Sequence, residues 1–348
     1  MANAEAVLRV FLTSYRDIVE ADPLEKKLAA IAAVLVRAGL FQRAAVQVYA
    51  SLYGEKLFGL AGLTPQEEEW IRTHDILPEE EYARVQQHGV RIEEVYFVPH
   101  EHLRSVLPNV DDVLLMDASR DPDDWQEGQW HPDDMLYMPL LASNGLALGN
   151  ITADAPFDNR VPDEETAALL APFVAMAACT IEQELNRRRD YLTQCFNGQF
   201  FRDEVSRRLS MRGRPLGLAF VDMNGLKAVN DDLGHEAGDR AIQATADALR
   251  ALGAKLAGHL FYDPVVCRLY GDEFGLLFRP DAAVAPDEVA AAMLAHWPED
   301  VPPAAVGVAG AEPEDDPRTL VRRAEERMYA AKRAMRPPGA GRERRASE

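Results

Sequence analysis

Apolar residues recur at Val7, Leu8, Phe11, Leu12, Tyr15, Ile18 and Val19, every third or fourth place, and so draw one stripe along a helix over residues 1–20. A second helical pattern opens near Asp22-Pro23, since proline is tolerated in a first turn, and runs through Leu24, Leu28, Ile31, Leu35 and Val36 to Gly39 as its stop. Strand-like runs follow at Ala44–Tyr49, Val113–Met116, Leu136–Leu141 and Leu146–Ala153, separated by Pro, Gly, Asp and Asn clusters. This half reads as α+β. From Pro162-Asp163-Glu164-Glu165 a long helical pattern, acidic in its first turn, continues through Phe173, Met176, Ile181 and Leu185 into Asn186-Arg187-Arg188-Arg189. It predicts a stiff connector between domains.

The second half alternates differently. It predicts a strand at Leu216–Val221, a helix from about Glu236 to Leu252, and two strands flanking Gly271-Asp272. A helix over Pro286–His296, a strand at Ala304–Ala309 and a last helix over Arg318–Met335 complete it. Strands interleaved with helices around one tight hairpin predict an α/β mixed sheet covered by helices. The basic, Pro- and Gly-rich tail from Pro337 reads as disordered.

Composition sharpens this picture. With 348 residues and 47% apolar content the chain is long enough for two domains, and a disordered chain is excluded. A formal charge of −20 argues against nucleic acid or an anionic membrane as partner, so any nucleotide must be held by a few placed cations and a metal. Cys179, Cys195 and Cys267 are scattered, with neither disulfide nor zinc spacing. The longest apolar stretch, Ala167 to Ile181, is broken by Pro172 and reads as too short for a bilayer; without a signal-peptide layout at the amino terminus, the expectation is a cytoplasmic protein.

The densest chemistry lies in Leu216 to Asp239, where an apolar strand runs out at Asp222 into a polar, Gly-punctuated loop. A second acidic strand end is Tyr270-Gly271-Asp272-Glu273-Phe274. Carboxylates at the ends of neighbouring strands suit magnesium, which takes oxygen ligands and is usually fixed by one or two carboxylates plus substrate phosphates. The plainer alternative is that Asp222 caps a turn and Asp272-Glu273 is a solvated hairpin tip.

These residues resemble the GGDEF family of diguanylate cyclases over about residues 186–336. The family's Asp-x-Asp-x-Phe-Lys-x-x-Asn-Asp segment, closed by Gly-His-x-x-Gly-Asp, is echoed by Asp222 to Asp239, with Asn224 and Leu226 in place of the usual Asp and Phe. The opening Asp-x-Leu-Thr-Gly-Leu-x-Asn-Arg motif appears as Asp190 to Gly198, departing at Gln194, Cys195 and Gly198. The closing Tyr-x-Ala-Lys helix appears as Tyr329-Ala330-Ala331-Lys332.

The resemblance implies condensation of two GTP into cyclic di-GMP and two pyrophosphates, with Mg2+, or Mn2+ in its place, as cofactor. It implies that Asp222, the backbone carbonyl of Met223 and Asp272 hold the metal, with Glu273 beside them as ligand or proton acceptor. Asn230 and Asp239 would read the guanine edge, a carboxylate accepting from N1–H and the exocyclic amine. Lys227, Lys332 and Arg336 would neutralise phosphates, and His235 would sit in the loop near the substrate. Because each 3′-hydroxyl attacks the α-phosphate held by a partner, it also implies a homodimer. The family's product-inhibition motif, Arg-x-x-Asp, would fall at Phe261-Tyr262-Asp263-Pro264 and is missing.

Tyr270 stands at the first glycine of the signature, where a ring is added at the substrate face and turnover is modulated. A second reading follows from it: a degenerate GTP-binding signalling module without turnover.

Residues 22–185 resemble a GAF sensor domain, through Met135 to Leu141, Gly145 to Asp154 and the long helix after Pro162. That implies an α+β sandwich acting as a dimeric regulatory module, with an unknown small-molecule effector. The expected organisation is therefore a helix over 1–21, the GAF-like domain with its connector helix over 22–185, the cyclase domain over 186–336 and a tail over 337–348. Within the first half His131-Pro132-Asp133-Asp134 reads as an acidic surface loop near Trp125 and Trp130, Cys179 as a small core residue, and His100 and His102 as lacking carboxylate partners at metal spacing.

Overall fold

The stripe over residues 1–20 forms a helix, α1 (Ala4–Glu20), in the computed structural model, which describes residues 4–49, 57–73, 79–106, 125–126, 128–211, 215–281 and 284–335. The stripe divides in two. Val7, Phe11, Ser14 and Ile18 are buried, whereas Leu8, Leu12, Tyr15 and Val19 stay exposed on the neighbouring face. The chain forms two units, Met1–Asn186 and Arg187–Glu348.

In the first unit α2 (Leu24–Arg37) follows α1 and lends it a cap. The Lys27 ammonium, 4% exposed, donates to the carbonyls of Ile18 and Val19 at 3.0 and 2.7 Å, satisfying acceptors that a helix end leaves without partners. Strands β1 (Phe41–Val48), β2 (Leu57–Ala61), β3 (Val90–Ile92), β4 (Val95–Val98), β5 (Met135–Leu141) and β6 (Ala147–Pro156) make an antiparallel sheet in the order β2-β1-β6-β5-β4-β3. Helix α2 lies across β1 and β2 so closely that a Cβ on Gly59 would meet the Leu28 carbonyl carbon at 1.9 Å.

Between β2 and β5 come α3 (Pro65–Thr73), α4 (Glu79–His88) and α5 (His100–Val106), none of which the sequence pattern revealed. Their buried Ile71, Val85 and Leu103 pack with Tyr49, Val98, Met135 and Tyr137 of the sheet. The expected strand at Val113–Met116 lies outside the described residues.

Helix α6 (Glu164–Arg187) carries the pattern read as a connector, yet its residues are packed into the first unit as far as Leu185. Phe173 stacks on Phe11 with ring centroids 4.7 Å apart, a contact that adds to the roughly 1.5–3 kcal/mol each buried ring contributes. At 24 residues α6 is long and apolar enough to cross a membrane, contrary to the expectation from its Pro172-broken run; proline here sits within a continuous helix. Cys179 is exposed on α6 rather than a core residue, because the helix turns Ala177, Ala178 and Ile181 inward instead.

The second unit holds β7 (Phe196–Asn197), α7 (Gly198–Ser210), β8 (Gly217–Met223), α8 (Leu226–Leu233) and α9 (His235–Leu256). It continues with β9 (Phe261–Tyr270), β10 (Glu273–Pro280), α10 (Pro286–Ala295), β11 (Ala304–Gly310) and α11 (Pro317–Ala334). The sheet order is β11-β8-β10-β9-β7; β7 joins β9 in parallel and the other pairs are antiparallel, so the sheet is mixed, as its pattern predicted. Central β8 is buried at every position, which is why its sequence is an apolar run and not an alternation.

One face of this sheet, through Ala219, Val221, Phe274, Leu276 and Val306, packs on Ile242 and Leu249 of α9 and Met293 of α10. The other takes α11 and α7, where Phe201 meets Phe220 edge-on and β11 lies against α11. Helix α7 was missed by the sequence pattern; Asn197 caps it, accepting from the amides of Gln199 and Phe200 at 3.1 and 3.0 Å. The segment after Asp222, read as a loop, folds instead into α8 and the start of α9, because Leu226, Val229 and Leu233 recur at helical spacing.

Candidate active site

Asp222 is the next-to-last residue of β8, and its register neighbours are Glu273 on β10 and Ala305 on β11. The alternation of side chains turns Asp222 away from the α9 and α10 core, onto the face that α11 covers. There the Lys332 ammonium reaches both Asp222 carboxylate oxygens, at 2.5 and 2.6 Å. Asp222 is 3% exposed, so neither a turn cap nor a solvated side chain describes it. Asp272 follows Gly271 in the β9–β10 turn, and its carbonyl accepts from the Met223 amide at 3.0 Å. The turn is thereby pinned to the end of β8.

Burial pushes the Glu273 carboxyl above its ordinary range, and the neighbouring carboxylates of Asp222, Asp272 and Glu325 push the same way; only Lys332 opposes them. Four carboxylates and one ammonium therefore share one rim. Glu325 was not singled out in the sequence, although it stands two helical turns before Lys332 and hence on the same face of α11. An all-oxygen, like-charged donor set of this kind suits a hard divalent cation, so the residues present fit magnesium.

The remaining expected residues fall on α8 and α9. Lys227 lies in the first turn of α8, exposed, and His235 is the first residue of α9, also exposed. Asn230 leans across the Gly234 turn onto Gly238, beside Asp239; a Cβ at Gly238 would stand 1.9 Å from Asn230 Oδ1. That contact brings Asn230 to the residue before Asp239, as a pair reading one base edge would require. Gly238→Ala would therefore have to swing Asn230 aside. Arg336 lies outside the described residues.

Tyr270 closes β9 opposite Glu273 and is 76% exposed, while Gly271 supplies the left-handed turn conformation at φ +47°. Behind the turn, Arg268 donates from Nε to the Gly271 carbonyl at 3.1 Å and from Nη1 to both oxygens of Asp190 at 3.0 and 3.2 Å. Burial raises the Asp190 carboxyl, but the Thr193 hydroxyl and amide and the Arg268 guanidinium outweigh it and hold it below the usual carboxylate range. Sequence reading missed Arg268, because its partner lies far back in the opening motif. Phe261, where the product-inhibition motif has arginine, is a fully buried core ring, and Asp263 pairs with Arg279 at 3.3 Å.

A separate cluster forms in the first unit. Asp134 accepts from the amides of His100 and His131, each at 2.8 Å, and Arg104 reaches Asp133 at 2.7 Å. His131, Asp133 and Asp134 are buried, so the expected acidic surface loop is corrected: their polar atoms are satisfied inward by backbone amides and Arg104. His100 does have a carboxylate partner, brought from 34 residues away. Among the described residues His100, His131 and Asp134 place potential metal-ligand atoms within 4.8 Å of one another. Yet the two imidazoles stack nearly parallel at 3.7 Å, which sets their in-plane lone pairs side by side instead of converging, and His131 Nδ1 already accepts from the Asp133 amide. The cluster ties the end of β4 to the start of β5.

Residues 187–337 match the family described as diguanylate cyclase, GGDEF domain. Diguanylate cyclase TpbB of Pseudomonas aeruginosa is 34% identical over 161 residues, covering 42% of this chain and 35% of that protein. Response regulator PleD of Caulobacter vibrioides is 29% identical over 164 residues, covering 42% and 34%. The chain thus spans about a third of the length of these curated relatives. Among solved structures, the coiled coil and GGDEF domain of DgcB from Caulobacter crescentus, in complex with c-di-GMP, covers 50% of this chain and 97% of its own, at 23% identity and a TM-score of 0.40. The similarity to the GGDEF domain family thus begins at the first residue of the second unit and runs over residues 187–337.

Proposed function

We infer that the second unit is a diguanylate cyclase, joining two GTP through two 3′–5′ phosphodiester bonds into cyclic di-GMP with release of two pyrophosphates. The observation that carries this reading is the convergence of Asp222, Asp272 and Glu273 with Lys332 on one rim of the sheet. Asp222, the Met223 carbonyl and Asp272 would hold magnesium, which supplies charge neutralisation at the triphosphate and activation of the 3′-hydroxyl. Glu273, its carboxyl raised above the usual carboxylate range by burial and by the neighbouring carboxylates, would take the proton from that hydroxyl. Asn230 and Asp239 accept from the guanine edge, which favours GTP over ATP. Lys227, Lys332 and, beyond the described residues, Arg336 neutralise phosphates, and His235, the first residue of α9, sits near the substrate.

Each domain offers one nucleotide site, so bond formation requires two copies face to face. The exposed stripe of Leu8, Leu12, Tyr15 and Val19 supports a homodimer built through the first unit and α6. A six-stranded antiparallel sheet between α2 and the α3–α5 helices supports reading that unit as a GAF-like regulatory domain for a small-molecule effector. GTP as substrate supports a cytoplasmic location.

Incubation of the full chain with GTP and Mg2+ should yield cyclic di-GMP and pyrophosphate in a 1:2 ratio, read by chromatography. Absence of product where GTP binding is measurable would favour the second reading, a GTP-binding signalling module without turnover, which the exposed Tyr270 ring at the turn supports. Tyr270→Gly separates the two: a gain of about tenfold or more in turnover marks the tyrosine as an attenuator, whereas an unchanged rate removes it from the catalytic account.

A further inference from the structure

Lys332 is ordinarily accounted for by its charge toward phosphate. Its position here says more. The ammonium does not project toward solvent; it sits on both oxygens of Asp222 at 2.5 and 2.6 Å, the closest contact a cation makes with this rim among the described residues. The Asp222 side chain is 4% exposed, and Lys332 lies against both of its oxygens. A divalent ion would need those same oxygens at about 2.0–2.1 Å. Two cations drawn to the same pair of oxygens repel each other strongly at such distances.

We propose that Lys332 and the divalent metal compete for Asp222, so that metal takes its place only as a nucleotide triphosphate draws the Lys332 ammonium away. The inference rests on the reading of this rim as a metal–GTP site. Lys332 is suited to exchange: it lies in the last turn of α11, its side chain is 27% exposed, and its four-carbon stem lets the ammonium swing while the backbone stays fixed. With the Asp272, Glu273 and Glu325 carboxylates nearby, the rim attracts a cation, and the lysine provides one that is covalently tethered. Metal and triphosphate then bind with positive coupling, each raising the other's affinity by the same factor. Lys332 is in this sense a positioning residue that sets the order of loading.

The test is Mn2+ binding to the full chain, followed by the electron paramagnetic resonance signal of free Mn2+, without turnover. Lys332→Gln removes the charge while its amide still donates to Asp222, and Lys332→Met serves as the second variant should glutamine disturb folding. Lys332→Arg retains the cation. Without nucleotide, the Gln or Met variant should bind Mn2+ at least tenfold more tightly than the wild type, the Arg variant should bind as weakly as the wild type, and Mn2+ should raise the neutral variant's Tm more than the wild type's. Adding 3′-deoxy-GTP, which lacks the attacking hydroxyl, should tighten Mn2+ binding strongly in the wild type and little in the neutral variant. If the wild type binds Mn2+ with 3′-deoxy-GTP but the neutral variant gains no affinity without it, competition is overturned and the metal site stands. If no protein binds Mn2+ under either condition, both the competition and the metal site fall.

Discussion

Replacing Asp222 by Asn should lower the rate of cyclic di-GMP formation by at least about 10³-fold, equivalent to about 4 kcal/mol of transition-state stabilisation. The side chain keeps its shape and buried seat but loses the charge that would anchor a divalent ion. Stability should hardly suffer. Lys332 loses its partner, yet it is partly exposed and can return to water, while Glu273 is relieved of one repelling carboxylate. Chromatographic product assay and thermal denaturation on the same preparation check both halves. A variant retaining a tenth of the wild-type rate would remove Asp222 from the catalytic centre.

Gly307→Ala should be the most destabilising single-methyl change in the second unit, costing about 3 kcal/mol. A Cβ there would lie 2.1 Å from the Met328 amide nitrogen and 2.3 Å from the Ala324 carbonyl oxygen. Both are backbone atoms of α11, so no side chain can step aside and the helix itself must move off the sheet. That movement carries Lys332 and Glu325 with it, so activity and stability fall together. Urea denaturation gives the first and product formation the second. By contrast Gly217→Ala would first meet the Phe278 ring, a side chain and not the backbone of a helix.

Legibility differed between the two halves for a physical reason. The carboxylates proposed to hold the metal lie at strand ends whose apolar runs are unmistakable, so Asp222 and Asp272 could be singled out before any coordinates. Lys332 was legible as a cation but not as the partner of Asp222, because 110 residues separate the two. Glu325 and Arg268 were missed for the same reason: each belongs to the site through a contact from a distant element. Helices α3, α4 and α5 escaped notice since they are short and polar, with only Ile71, Val85 and Leu103 as buried anchors among their described side chains. The stripe on α1 misled in the opposite sense; Leu8 and Leu12 obey helical periodicity but do not enter the core.

The Asp190–Arg268–Gly271 chain has a consequence for binding entropy. A hairpin tip with a glycine at its apex would ordinarily sample many conformations, and a ligand that needed one of them would bear the ordering loss, about 0.5–1.5 kcal/mol for each side chain immobilised. Here the guanidinium, fixed at its far end by the half-buried Asp190 carboxylate, already holds the apex carbonyl, and the Met223 amide holds the next one. The tip loses its freedom when the polypeptide folds. A ligand arriving later would meet the backbone that carries Asp272 and Glu273 already ordered, so the energy of its contacts would go into affinity instead of arranging the receptor.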